Sequence, residues 1–215
     1  MKHLLTKDFR LAMHPTVFMF WLLSAMLLIP NYPYYVVFFY TALGVFFVCL
    51  TGRENHDIEY SLTLPVRKRD IVKSRITFAV IVELVQAIVA IPFAYLRQSF
   101  PLPGNQVGMD ANIAFFGLAF LMLGVFNLVF FTRYYKNPDK VGKAFAIGAT
   151  LTFVYMAIAE VLTHAVPFFR DKLDTPDPQF IGPKLAVLGI GLVGYAALTL
   201  LAERLSEKRF ENLDL

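Results

Sequence analysis

Apolar residues gather along this chain in long blocks, separated by short breaks rich in charge, Pro, Gly or Asn. Six such blocks run at about 11–29, 34–50, 76–96, 111–132, 144–166 and 185–202. A bilayer's hydrocarbon core is about 30 Å thick and takes roughly 20 apolar residues of helix to cross. Within it the backbone has to satisfy its own hydrogen bonds, which a helix does. The pattern therefore predicts an all-α integral membrane protein, one transmembrane domain over 1–215 with six transmembrane helices. The first two blocks are the tightest pair: Pro30-Asn31-Tyr32-Pro33 joins them, and the uninterrupted part of the first begins only at Thr16. A re-entrant hairpin is the alternative there.

Composition agrees with this pattern, since 57% of the 215 residues are hydrophobic and only 17% charged. The net charge of +4 would suit nucleic acid only if the basic residues shared one exposed face; they lie between apolar blocks instead, so no nucleic-acid partner is expected. Their distribution sets orientation, because short cytoplasmic loops carry Lys and Arg in excess. With both termini cytoplasmic, the breaks on the inner side hold all of the 20 Lys and Arg except Arg97, Arg170, Lys172 and Lys184. The outer turns carry Tyr32, Tyr34 and Tyr35, where an aromatic belt belongs. The single cysteine, Cys49, lies inside an apolar block, so one chain builds neither a disulfide nor a Cys-based zinc site. Membrane lipids are the expected surroundings, in a multi-pass position in a cell membrane, with the bacterial cytoplasmic membrane the expected one.

Two segments outside the blocks show helical patterning. Over 1–14, His3, Thr6, Lys7, Arg10 and His14 fall on one side and Leu4, Leu5, Phe9, Ala12 and Met13 on the other, before Pro15 interrupts. This predicts an amphipathic helix in the inner interface, acting either as a surface anchor or as an elbow that passes cytoplasmic movement to the first span. The second segment is the loop 51–75, the longest inner break. Ile58, Leu62 and Leu64 fall near one side of a short helix and Asp57, Glu59 and Ser61 on the other, and Pro65 closes it. A second helix then leads into the third span. An apolar patch flanked by charge suits a soluble partner; a helix lying on the lipid surface suits the same pattern.

The string Tyr60-Ser61-Leu62-Thr63-Leu64-Pro65-Val66-Arg67-Lys68-Arg69-Asp70-Ile71-Val72 resembles the corresponding loop of permease subunits in ATP-binding-cassette transporters of the type-two exporter family. That loop runs leucine, small polar, leucine-proline-valine, basic, basic, acidic, isoleucine-valine. Its place after the second of six spans, the chain length and the in-in topology are also similar. Arg67 stands where the family often has a Ser or Thr that caps the next helix. The resemblance implies that Asp57 to Pro65 is a coupling helix seated in a groove of a nucleotide-binding ATPase subunit. The contact residues would be Glu54, Asp57, Ile58, Glu59, Tyr60, Ser61, Leu62, Thr63, Leu64, Pro65 and Arg67. It also implies short outer helices that close an extracellular gate near 167–184.

No phosphate-cradling G-x-x-x-x-G-K-[ST] string occurs: Gly142-Lys143 lacks both the upstream glycine and the following hydroxyl. The chain is thus expected to have no catalytic site and to bind no cofactor, with ATP and Mg held by a separate subunit. His3, His14, His56 and His164 are too dispersed for a metal motif.

Polar groups inside spans cost about 2.5–3.5 kcal/mol when ionisable and sited centrally, so each is a candidate for a translocation path. They are Glu83 and Gln86 in the third block, Asn127 in the fourth, and Glu160 and His164, four residues apart on one face, in the fifth. Structural pairing within the bundle is the plainer reading of each. Gly189, Gly191, Gly194 and Ala186 in the last block permit close helix approach, either within the bundle or at a dimer face.

Together these features predict the permease subunit of an exporter. It would pair with a second permease, identical or not, because one six-span chain is too small to enclose a pathway. An aromatic share of 15% suits an amphipathic or hydrophobic cargo such as a peptide, lipid or antibiotic. The rival readings are an immunity or binding protein that keeps the fold without transport, and a membrane enzyme acting on lipid.

Overall fold

The computed structural model describes residues 2–100 and 104–213, and every regular element among them is helical. Helix α1 (Lys2–Lys7) widens into a π turn, Asp8–Ala12. Helix α2 (Thr16–Leu22) tightens into a 3-10 segment, Leu23–Leu28, and α3 (Tyr35–Glu54), α4 (Asp57–Leu62), α5 (Lys68–Ser99) and α6 (Ile113–Tyr134) follow. A 3-10 turn, Pro138–Lys140, opens α7 (Val141–Ala165); a π turn, Phe169–Leu173, and α8 (Ile181–Glu211) complete the bundle.

Five helices, α3 and α5 to α8, are long and apolar enough to cross a membrane. The block expected as a span at 11–29 is instead the shorter apolar helix Thr16–Leu28. At α-helical and 3-10 rises it covers only about 22 Å. Prolines set both limits. Pro15 precedes the first helical residue, and Ile29, next before Pro30, has left the helix at φ −78°, ψ 121°, as the pyrrolidine ring demands of its predecessor.

Helices α6 and α8 make the closest packing. A Cβ at Gly191 would lie 2.0 Å from the Gly117 carbonyl oxygen, and one at Gly124 would lie 2.9 Å from the Tyr195 Cα. Small residues let these backbones touch, which is how helices gain dispersion energy where lipid removes the hydrophobic drive. Gly191 and Gly194 face α6, whereas Gly189 faces open space. On α6, Phe126, Phe130 and Tyr134 stack in sequence with centroids 5.2 and 5.8 Å apart, a ladder set by the spacing of four. Helices α7 and α8 keep broad apolar faces outward, including Ile158, Val161, Ile190 and Val193.

Both described ends of the chain meet at one end of the bundle, where Lys7 pairs with Asp57 and the Lys68 ammonium donates to the Leu213 carbonyl at 2.6 Å. The 32 residues of α5 extend about 48 Å, well beyond a 30 Å hydrocarbon core. The surplus lies at this end, against the tail of α8, through Arg69 with Glu211 and Lys73 with Glu203. Arg67 supplies no capping oxygen. Its guanidinium instead meets Asp70 in the first turn, at 3.1 and 3.3 Å, and an acid there complements the helix dipole.

Candidate functional site

Helix α4 hangs between two anchors. A two-residue turn, with His56 in the left-handed region at φ 52°, folds it back from α3. Its Asp57 then receives both the Lys7 ammonium from α1 and the Arg75 guanidinium from α5. Arg75 also meets Asp8 at 3.1 Å, Asp8 accepts the Ser74 hydroxyl at 2.7 Å, and Lys7 donates to Ser61 at 2.9 Å. The side chains of Arg75 and Asp8 are only 6% and 3% exposed. Two carboxylates and two cations thus tie three helices together away from bulk water, the arrangement a buried charge requires.

This corrects the expected faces of α4. Asp57 and Ser61, assigned to the outer polar side with Glu59, turn inward because their partners lie there. Ile58 and Leu62 pack on the chain's own core beside Ile71 and Tyr134 rather than forming an outward apolar patch. The outward surface consists of Glu54, Glu59, Tyr60, Thr63, Pro65 and Arg67, with Tyr60 58% exposed and Leu64 half-buried. Asp8 is the residue that pattern reading missed. Its position four before Ala12, on the apolar side of the N-terminal segment, was the available signal, and its partners Ser74 and Arg75 lie 66 and 67 residues further on.

A second polar cluster lies in the middle of the bundle. The Glu83 carboxylate on α5 accepts from the Tyr195 hydroxyl on α8 at 2.6 Å and from the Asn127 amide on α6 at 3.0 Å; that amide also reaches Thr199 at 3.3 Å. Gln86, one turn on, donates to Ser24 at 2.8 Å and so joins the short first apolar helix to α5. Glu83, Gln86 and Asn127 are all completely enclosed. One carboxylate oxygen of Glu83 and the Asn127 carbonyl oxygen have no hydrogen-bond partner among the described residues.

Glu160 and His164 lie elsewhere, under the loop 104–112. Glu160 accepts from the Met109 backbone N–H at 3.2 Å, a side chain at Gly108 would collide with it, and His164 meets the Val107 carbonyl at 3.3 Å. Around them the 104–112 and 166–180 segments are bound by buried charge. Lys184 donates to Asp177 at 2.8 Å, the Asp110 N–H donates to Asp174 at 2.8 Å, Arg97 donates to Tyr34 at 2.9 Å, and Asn112 caps α6 through the Phe115 N–H at 3.0 Å. Burial pushes the Asp174 carboxyl up to about 6, with neighbouring Asp110 adding to the rise, and burial also raises Asp110 against the pull of Arg97. The five polar candidates therefore separate into a group in the middle of the bundle and a group under the loop 104–112.

Along nearly its whole length the chain fits one family: a model described as ABC-2 family transporter protein matches residues 3–206. The chain belongs to the ABC-2 transporter family. It is a multi-pass membrane permease, a transport component, and such permeases associate in general with an ABC ATPase subunit. No curated protein and no solved structure matches the chain.

Proposed function

We propose that this permease is the membrane subunit of an ATP-driven exporter, with α4 as the element that receives movement from a separate ATPase subunit. The observation that carries the reading is the double character of α4. Asp57 and Ser61 fasten it to α1 and α5, while Glu59, Tyr60 and Thr63 are exposed on the opposite side. A helix so held moves its anchors when it is pushed. Arg75 and Glu83 are eight residues apart on α5, about 12 Å along its axis, so a shift of α4 reaches the Glu83 clasp between α5, α6 and α8 through one continuous helix.

In this reading the short Thr16–Leu28 helix is the first of six membrane segments, and the end that holds α4 and both described chain ends faces the cytoplasm. The concentration of Lys and Arg in that end's loops supports the assignment. Two permeases, identical or not, enclose the path, and ATP with Mg sits on the ATPase subunits. Closure of those subunits drives α4, and an amphipathic or hydrophobic cargo such as a peptide, lipid or antibiotic is released outward. Glu83 and Asn127 act by holding the helices in one arrangement and exchanging partners as they part, since neither reaches a surface of the single chain.

The test is co-purification with the ATPase subunit together with ATP hydrolysis, comparing wild type with Tyr60→Lys. Loss of the complex, or hydrolysis that no longer responds to the permease, is expected because the Tyr60 side chain is exposed on the outward side of α4. A Tyr60→Lys complex that forms and hydrolyses ATP as wild type does would remove α4 from the coupling role.

A further inference from the structure

We propose that the hollow between the end of α6 and the start of α7 holds the headgroup of an acidic phospholipid from the leaflet on that side of the membrane. The hollow encloses about 320 Å³ and is lined by Arg133, Lys136, Asn137, Lys140 and Lys143 above a floor of Ala144 and Ile147. No carboxylate lines it, and none of these four cations forms an ion pair among the described residues. Arg133 has only a long bond, 3.4 Å, to the Val129 carbonyl of its own helix. The contrast with the neighbouring Lys7, Arg69 and Arg75, each facing an acid, is what sets the hollow apart. A loop rich in Lys and Arg satisfies the topology rule alone; four cations converging on one concave space do more, because their mutual repulsion falls when an anion enters.

The apolar floor decides which anion. Ile147 continues along α7 into Leu151, Val154 and Ile158, at helical spacing on one face, and the last three are each 41–55% exposed. A phosphate in the hollow therefore has an apolar track leading away from it into the bilayer. A free phosphate uses only the cations, whereas an acidic phospholipid uses the cations and the track together. Basic pockets beside transmembrane helices recognise such headgroups in this way.

The permease in nanodiscs of equimolar phosphatidylglycerol and phosphatidylcholine tests the assignment, read by native mass spectrometry of the lipids retained on release. Wild type is expected to keep phosphatidylglycerol at least ~10-fold in excess, at about fivefold per engaged cation. The triple variant Lys136→Gln/Lys140→Gln/Lys143→Gln should fall to the nanodisc ratio, and Lys140→Gln alone should lose about fivefold. A control, Arg10→Gln/Arg204→Gln/Lys208→Gln, removes the same charge from exposed positions at the same end and should retain the preference. Equal retention in pocket and control variants, or equal loss in both, overturns the site. Displacement of the lipid by excess inorganic phosphate overturns the lipid assignment in favour of a free anion.

Discussion

The polar cluster beside α4 and the one in the middle of the bundle both keep a carboxylate away from water, by different means. Beside α4, Asp8 and Asp57 face Lys7 and Arg75, charge against charge. In the middle Glu83 has no cation beside it among the described residues: its partners are a hydroxyl and an amide. Ion pairs rigidify because removing one member strands the other, at a cost of about 3–5 kcal/mol when buried. Neutral donors hold more weakly, about 0.5–1.5 kcal/mol net per bond and about 1.5–3 where one partner is charged. The first cluster suits a joint that transmits force. The second suits a contact that breaks and reforms when α5, α6 and α8 shift.

The largest effect that would break this contrast is at Arg75. Arg75→Met leaves Asp8 and Asp57 to share Lys7 as their cation, with Asp8 also accepting from Ser74, and a loss of about 3 kcal/mol in stability is expected from thermal unfolding in detergent. A loss below about 1 kcal/mol would show that the cluster beside α4 is solvated rather than buried. Next comes Tyr195→Phe, which removes the 2.6 Å donor to Glu83 and is expected to cost about 2 kcal/mol. Glu83→Gln retains an acceptor oxygen, so insertion and partner binding should hold while reconstituted transport falls. Unchanged transport in that variant would make the central cluster purely structural. Lys7→Gln leaves Arg75 on Asp57 and should cost only about 1 kcal/mol, with stimulation of the ATPase partner weakened more than folding.

The segments 104–112 and 166–180 supply the smallest test, one of pH. The Asp174 carboxyl is held at about 6, above its ordinary range, so the folded state binds that proton more tightly than the unfolded chain does. Its contribution to stability is full below the ordinary carboxylate value and is lost as pH rises through about 6. After discounting for partial exposure it amounts to about 1 kcal/mol. Melting temperature measured from pH 4.5 to 7.5 should decline across that window in wild type, and Asp174→Asn should flatten the decline while preserving acceptance from the Asp110 N–H.

Much of this molecule is local, and local features are legible in a sequence. Five of the six apolar blocks became membrane-length helices at nearly the expected places, because about 20 apolar residues between charged breaks leave a chain in lipid few other options. The short helix at 57–62 and the start of α5 just after Pro65 also follow from adjacent residues. The regular helix of the first block, Thr16–Leu28, is likewise bounded by adjacent residues, with Pro15 before it and Pro30 after it.

Other features depend on which helices become neighbours. Asp57 and Ser61 look like a solvent face of α4 until α1 brings Lys7 and α5 brings Arg75 to them. Glu83 looks isolated until α8 delivers Tyr195 from 112 residues away. The hollow lined by Arg133, Lys136, Lys140 and Lys143 looks like a topology signal until the turn at Pro138–Lys140 folds the cations around one space. Sequence by itself determined the solvent, the helices and the family resemblance, because each is decided by hydropathy and by residues near one another along the chain. Tertiary structure alone decided which charges pair and which face of α4 is free, because in a low-dielectric bundle the partner, not the residue's own polarity, sets where a charge can lie.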